Sequence, residues 1–471
     1  MATFVGRHRE LDQLDHALRR ARGGEGSFVW VTGRRRVGKS RLVQEFLQQS
    51  DVRYVFFQAP QRSGAVAEFV AEIGHSNTHA GEMVRDGMDA DNWRAALRLA
   101  ASGATTDQPV VIVIDEYPYL HERDDGVDAD VQAVWDASLE SLPIVLICIG
   151  SDLAMMERLL QHDRPLHGRP TSQMRVDTLD PFEIAELLQL DPVDALDAYL
   201  VVGGYPAVAR DWKPGASMSS FLKSALAHGS SPLVINGERI LAAEFAAELN
   251  ARRVLEAIGL GERTYTAIGS AAAVGGPTLP RALGHLADKQ LVEQRRPLAV
   301  PPGTKDTRYQ IVDAGLRFWL KFVGPFAAEL DRGRGDLVVD RILREWNDFR
   351  GRSIEPVIRE ALTRIVPDAR FGATEHVGSY WTRSNHPEVD LIGVDRFPKP
   401  RTVTLTGSIK WRDQAPFDDN DAKSLIGDTA FVPGTDADTL LIGVSRTGFD
   451  TDRLDIQVGP ELIVNAYRPR S

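Results

Sequence analysis

The chain has 471 residues, 43% hydrophobic and 26% charged, with a net charge of −11; this excludes a disordered chain and a surface coated in basic patches, and the length allows three or four domains. Its one cysteine, Cys148, excludes a disulfide framework and a cysteine-rich zinc site. The opening MATFVGRHRELDQL carries charges where a signal peptide needs an apolar core, and no run approaches the ~18 apolar residues of a membrane helix, so the expectation is a soluble, cytoplasmic protein with no membrane partner.

In chain order, SFVWVTG reads as a buried strand and SRLVQEFLQQ as an amphipathic helix. Between them lies the pattern G-x-x-x-x-G-K-S, Gly33 to Ser40. Glycines at both ends let the backbone curl so that N–H groups point inward at phosphate oxygens, and the following helix adds its positive N-terminal end. Gly33, Arg34, Arg35, Arg36, Val37, Gly38, Lys39, Ser40 and Arg41 are the candidate cradle for ATP. Lys39 has the reach for the β- and γ-phosphates, and the Ser40 hydroxyl suits Mg²⁺. The three consecutive arginines invite a nucleic-acid reading, but in such a turn the backbone already serves the phosphates.

VVIVIDEYPYL carries five β-forming residues in a row and reads as a central parallel strand buried on both faces. Its acidic pair stands at the C-terminal end, where open α/β sheets bind ligands. Asp115 is the candidate Mg²⁺ ligand and Glu116 the residue that polarises the attacking water. A third strand, PIVLICIGSD, ends in Ser151 and Asp152; a polar residue there either senses the γ-phosphate or simply caps the strand. Cys148 reads as a packing residue.

FVGRHREL, GRRRVGKS, IDEYPYL and LICIGSD, followed by MMERLL, PLHGRPTSQMRVDTLDPFE and YLVVGGYPAV, together resemble the archaeal-type ATPases of the AAA+/STAND group of P-loop NTPases. The resemblance implies that the FVGR segment packs near the adenine and that the third strand inserts between the other two. It also implies a helical lid and a glycine–proline element, Gly204 to Pro206, approaching the nucleotide. Arg169 in PLHGR becomes a candidate for reaching the γ-phosphate, in its own chain or a neighbour's, which would need an oligomer; the alternative is a surface arginine paired with an acid.

KPGAS and HGSSP read as loops. ARRVLEAIGLG, TYTAIGSAAAVGG and PTLPRALGHLADKQ then read as three helices, with two β-like stretches ending in TRYQIVD. Three helices and a two-stranded wing describe a winged helix-turn-helix, with the helix from Thr278 as recognition helix and Arg281, His285 and Lys289 as readers. Residues 251–322 hold eleven basic and six acidic residues, which favours DNA as partner; such modules also bind proteins.

LRFWLKFVGP continues the same resemblance, which implies a last domain like the PD-(D/E)xK nucleases. RGRSIEPVIREAL matches the first helix, with Glu355 in the acidic position. HPEVDLIGVD matches the first core strand pair, with Asp390 as metal ligand, and RTVTLTGSIKW the second strand, with Lys410 as the lysine. Two carboxylates would clamp Mg²⁺ and lower the pKa of bound water. Ser408 stands where the family has an acid, and a hydroxyl is a poor substitute. Asp413 or Glu355 could compensate; otherwise the domain is degenerate and binds DNA or a partner.

The expected fold is therefore α/β and multidomain: a P-loop parallel sheet over 1–175, a helical lid and connector over 176–245, a winged helix over 246–325 and a restriction-endonuclease-like α/β domain over 326–471. The expected function is an ATP-binding and hydrolysing regulatory switch that binds DNA or a protein partner. Two alternatives stand beside it: an ATP-dependent metal nuclease, and a non-hydrolysing ATP-binding scaffold for proteins.

Overall fold

The apolar run at 110–114 forms the middle of a parallel sheet, as its burial on both faces requires. The computed structural model describes residues 4–62, 64–124, 126–245, 248–300, 306–384 and 386–469. They fall into two compact units, Met1–Thr178 and Leu179–Ser471.

In the first unit, helix α1 (His8–Arg22) leads into β1 (Ser27–Thr32), the loop, and helix α2 (Lys39–Ser50). Strands β2 (Arg53–Gln58), β3 (Val110–Asp115), β4 (Ile144–Gly150) and β5 (Ser172–Arg175) complete a sheet of order β2-β3-β4-β1-β5. Every neighbouring pair is parallel. β4 thus inserts between the loop-bearing β1 and the acidic β3. Parallel pairing in this order puts the C-terminal ends of β1, β3 and β4 side by side, so Gly33, Asp115 and Ser151 converge. On one face Phe28, Trp30, Ile112, Ile114, Leu146 and Cys148 share a core with Tyr117 and Trp135. The Trp30 and Tyr117 rings meet edge to face at 5.3 Å. Cys148 is fully buried, and burial pushes its thiol well above the ordinary range, so it packs and does not react.

The second unit opens with helices Pro181–Leu188 and Pro192–Val202, each started by proline after a capping aspartate. Gly203 and Gly204 follow with φ of 63° and 70°. A β-carbon on Gly204 would lie 2.0 Å from the Leu179 carbonyl oxygen, so glycine here allows close backbone approach. Pro206 begins the short helix Pro206–Ala209.

Helices Leu249–Gly259, Tyr265–Ala272 and Thr278–Asp288 come next, then the antiparallel strands β6 (Val292–Arg295) and β7 (Arg308–Ile311). The expected turn between these strands includes 301–305, with Lys305 among them, which lies outside the described residues, as does the domain boundary at 246–247. The segment LRFWLKF lies in helix Ala314–Phe322, whose Phe318, Trp319 and Phe322 are buried.

The last region is a mixed sheet packed on the long helix Gly335–Ile365. Its strands are β8 (His376–Trp381), β9 (Glu388–Val394), β10 (Val403–Lys410), then Leu440–Ser445 and Ile456–Val458. They lie side by side in that chain order; β8–β9 and β9–β10 are antiparallel and the remaining pairs parallel. Two sequence expectations are corrected here. HPEVDLIGVD is one strand, not a strand pair, because residues 388–394 run without a turn; its partner is β8, whose HVGSYW had not been read as a strand. The helix expected at 350–362 begins fifteen residues earlier, at Gly335, and carries Pro356 inside it. No helix among the described residues is long and apolar enough to cross a membrane.

A candidate nucleotide site and a second acidic site

The loop between β1 and α2 is held from below. The Arg7 guanidinium is buried and donates to the Val37 carbonyl at 3.1 Å and to the Asp177 carbonyl, while Glu10 pairs with it at 3.2 Å. The FVGR segment thereby fixes the loop's position through backbone carbonyls, a role not foreseen in the sequence. Gly38 adopts φ 98° and Arg36 φ 70°, and a β-carbon on Gly33 would meet the Val176 carbonyl at 2.2 Å. These conformations curl the loop back over the strand end.

Lys39 is buried as well. Its ammonium donates to the carbonyls of Gly33 and Arg34, at 2.8 and 2.9 Å, closing the loop on itself. Burial pulls its pKa down to about 8, against the charges of Glu116 and Asp115. Asp115 is buried beside it; burial raises its pKa above the ordinary carboxylate value, while the Ser40 hydroxyl and the Glu116 N–H (3.0 Å) hydrogen-bond it and oppose that shift. Glu116 sits at φ 56° at the start of helix Tyr117–Arg123, and the Ser151 hydroxyl donates to its carboxylate at 2.9 Å. Helix Tyr117–Arg123 is anchored in turn, because the buried Asp128 accepts from the Tyr117 hydroxyl (2.8 Å) and faces His121 Nδ1 at 2.7 Å. The structure therefore brings Gly33, Gly38, Lys39, Ser40, Asp115, Glu116 and Ser151 together at one strand end. The hydroxyl of Ser40 and the carboxylate of Asp115 form a hard-oxygen pair that fits a Mg²⁺ ion keeping several waters. Of the basic residues, Arg35 is exposed with its guanidinium 3.4 Å from the Tyr119 hydroxyl, and Arg41 pairs with Glu45 at 2.9 Å on the helix surface.

Arg169 is a correction. Thr171 N–H donates to the Phe28 carbonyl, and β5 runs parallel to β1 with Ser172 opposite Val29 and Arg175 opposite Thr32. Arg169 therefore lies at the N-terminal end of the sheet, on the order of 20 Å of strand from Gly33 at about 3.3 Å per residue. It is bound to Asp136 (3.0 Å) and the His167 carbonyl (2.7 Å). It cannot reach a phosphate in its own chain. The arginine that β5 carries to the loop end is Arg175, paired with Asp177 at 2.9 Å. Arg169→Ala is expected to leave single-chain ATP turnover at high dilution within about twofold, since only an exposed ion pair is lost; a large loss there would overturn this placement.

Lys39 also sets a pH dependence. Its ammonium form, the one phosphate oxygens favour, is present below about pH 8 and lost above it. Nucleotide affinity is expected to be level below that pH and to fall about tenfold per unit above it, with proton uptake on binding. Calorimetry in buffers of different ionisation heat measures both; a flat profile would remove Lys39 from the phosphates.

The second acidic site lies in the last sheet. Asp390 on β9 and Ser408 on β10 sit on adjacent antiparallel strands, and the Ser408 hydroxyl donates to Asp390 Oδ2 at 3.3 Å. Ile409 N–H donates to the same oxygen at 2.8 Å. Glu355 approaches from the long helix and accepts from Arg359 at 3.3 Å. Burial, then the Glu355 charge, pushes Asp390 up to about 6. Lys410 turns its ammonium to Asp421, 3.7 Å away, which Arg412 grips with two hydrogen bonds. Asp413 does not compensate for Ser408: Arg350 and Arg446 hold it at 2.6 and 3.1 Å, in a network with the buried Asp197. The donor set does not suit a divalent ion. One oxygen of Asp390 is already engaged twice, a hydroxyl replaces the second acid, and a guanidinium sits on Glu355. Among the described residues no group of three or more His, Cys, Asp or Glu is placed to hold a metal.

Residues 3–126 match the AAA ATPase domain. The first unit is similar to AAA ATPases. Residues 319–425 match a family described as archaea bacterial proteins of unknown function. Over 432 residues, 90% of each chain, the protein is 23% identical to uncharacterized protein MJECL04 of Methanocaldococcus jannaschii. Among solved structures it is similar to the Walker-type ATPase paby2304 of Pyrococcus abyssi, with 17% identity, 68% of this chain and 96% of that one covered, and a TM-score of 0.48. It is also similar to the ORC2 protein of Aeropyrum pernix, with 13% identity, 72% and 96% covered, and a TM-score of 0.46.

Proposed function

We propose that the protein is an ATP-driven switch whose second unit binds DNA and does not cut it. The observation that carries the first half is the convergence of Lys39, Ser40, Asp115 and Glu116 at one end of a parallel sheet. The loop N–H groups and Lys39 bind the triphosphate, and Arg7 keeps the loop in place from behind. Ser40 and Asp115 would hold a Mg²⁺ ion, which would supply charge neutralisation at the phosphates. Glu116 accepts a proton from the attacking water, and Ser151 orients its carboxylate.

The helix–helix–helix–strand–strand segment is read as a winged helix, and its Thr278–Asp288 helix as the one that enters the major groove. That helix exposes Arg281 together with Pro280, Gly284 and Ala287, while His285 faces Glu248 at 3.1 Å. Such a surface offers little direct base readout, so binding should rest on phosphate contacts and vary weakly with sequence. The order of the last sheet and its helix supports a degenerate PD-(D/E)xK-like domain, with Glu355, Asp390 and Lys410 in the acidic and lysine positions and Ser408 in place of the second acid.

The test is duplex DNA with the full chain, with and without ATP·Mg²⁺ or Mn²⁺. Binding is expected to weaken steeply with salt, to change with nucleotide, and to leave the strands intact. Scission lost in Asp390→Ala would instead establish the nuclease alternative. Salt-independent or absent DNA binding would favour a scaffold for protein partners.

A further inference from the structure

The carboxylates of Glu355 and Asp390 do not stand at a bare strand end. They line a cavity of about 450 Å³ inside the second unit, between the β6–β7 pair and the last sheet. Its wall also carries the bases Arg263, Arg295, Arg308, Arg317, Lys321 and Arg352 and the acids Glu345, Asp348 and Glu388, with Lys321 paired to Glu345 at 3.2 Å. This volume is in the range of small-ligand sites, about 300–1,000 Å³, and is far too small for a duplex.

The charges in this cavity do not cancel. Arg308 closes on Glu388 through two hydrogen bonds, and that pair is satisfied. Arg295 is held by neutral groups, the Ser379 hydroxyl at 2.6 Å and Gln310 at 3.3 Å, with Glu293 no nearer than 3.8 Å. Arg317 hydrogen-bonds only to backbone carbonyls of Ile311 and Ser353. Arg359 touches Glu355 and the Asp390 carbonyl, and its Nη2 is buried without a hydrogen-bond partner. Beside the two carboxylates, then, stand the partly buried Arg295 and Arg317 in the wall and the buried Arg359 against Glu355, with Arg352 at the exposed rim. Burial and mutual repulsion pull Arg295 and Arg317 down to about 10, well below the ordinary arginine range. A buried excess of cations is costly unless an anion balances it. Fixed fork-shaped donors favour phosphate oxygens above other anions.

We propose that this cavity binds a terminal phosphate group directly through Arg295, Arg317 and the rim residue Arg352, without a metal ion. Guanidinium groups supply the positive charge that a metal would otherwise place beside Glu355 and Asp390. A terminal phosphate carries up to two charges where an internal diester carries one, and an end fits a cavity of this size better than a continuous strand does. The same chemistry is offered by free phosphate and by the 5′ end of a nucleic-acid strand. The proposal deepens the reading of the last domain as a non-cutting site, and it does not require the winged-helix contact.

The test uses the full chain carrying Lys39→Ala, so that the nucleotide loop does not compete. Calorimetry compares inorganic phosphate, the 5′-phosphorylated dinucleotide pTpT and unphosphorylated TpT, each in EDTA and in Mg²⁺. pTpT is expected to bind at least about tenfold more tightly than TpT, equally in EDTA and Mg²⁺, and to weaken about tenfold in Arg352→Gln. Arg352 is exposed, so its variant should fold; an unchanged melting temperature checks this. Phosphate equal to pTpT identifies the free anion as ligand, and tighter pTpT identifies a strand end; both support the site. Equal binding of pTpT and TpT, or binding that requires Mg²⁺, would overturn it. Failure of duplex binding with retained pTpT binding would count against the winged-helix reading alone.

Discussion

Replacing Lys39 by alanine is expected to lower ATP turnover by about 10²- to 10³-fold, the loss seen when one preorganised donor to a developing anion is removed. The geometry explains why no neighbour can substitute. Lys39 is buried at the floor of the loop, and its ammonium already bridges the carbonyls of Gly33 and Arg34. Arg35 is turned to the Tyr119 hydroxyl and Arg41 to Glu45. The effect on stability should stay within about 1–3 kcal/mol, because the donor lost to two carbonyls is offset by removal of a desolvated charge. Turnover, nucleotide affinity and melting temperature measured together separate the two effects. Turnover unchanged in a folded variant would sink the assignment of the loop.

Replacing Glu116 by glutamine is expected to lower turnover by about 10²- to 10⁴-fold while nucleotide affinity is retained. Glutamine has the same shape and keeps an oxygen for the Ser151 hydroxyl, now 2.9 Å from the carboxylate. What it lacks is the ability to accept a proton. The residue at 116 also caps a helix at φ 56°, a conformation glutamine adopts with the same strain as glutamate. The fold should therefore be unaffected, and a stable ATP-bound state should accumulate. Equal loss of affinity and turnover would mean that Glu116 acts in binding, and the water would need another base.

Most of the nucleotide site was legible in the sequence because its signals are local. A β-run, a glycine-bracketed turn and a helix must lie next to each other in space, and an acid after five apolar β-formers must stand at a strand end. The three-helix and two-strand segment was legible for the same reason. Arg169 was not, since its distance from the loop depends on which end of β5 precedes the strand, and that follows only from parallel pairing with β1. Whether Asp413 could substitute for the missing acid was open in the sequence because its partners, Arg350 and Arg446, are 63 and 33 residues away in the chain. Arg7 lies in the FVGR motif, yet its grip on the Val37 and Asp177 carbonyls spans up to 170 residues.

The sequence by itself determined which groups are on offer: a glycine-bracketed basic loop between a strand and a helix, a carboxylate pair at a strand end, and Asp390, Ser408 and Lys410 on two short β-runs. Hydrophobic periodicity and glycine conformational freedom act over a few residues, so they can be read without a fold. Only the tertiary structure decided which charges meet. It placed Arg169 at the far end of the sheet, bound Asp413 into an ion network, and gathered Arg295, Arg317 and Arg359 around Glu355 and Asp390. Electrostatic partners are chosen by distance through space after the chain has packed, and sequence separation carries no information about that distance.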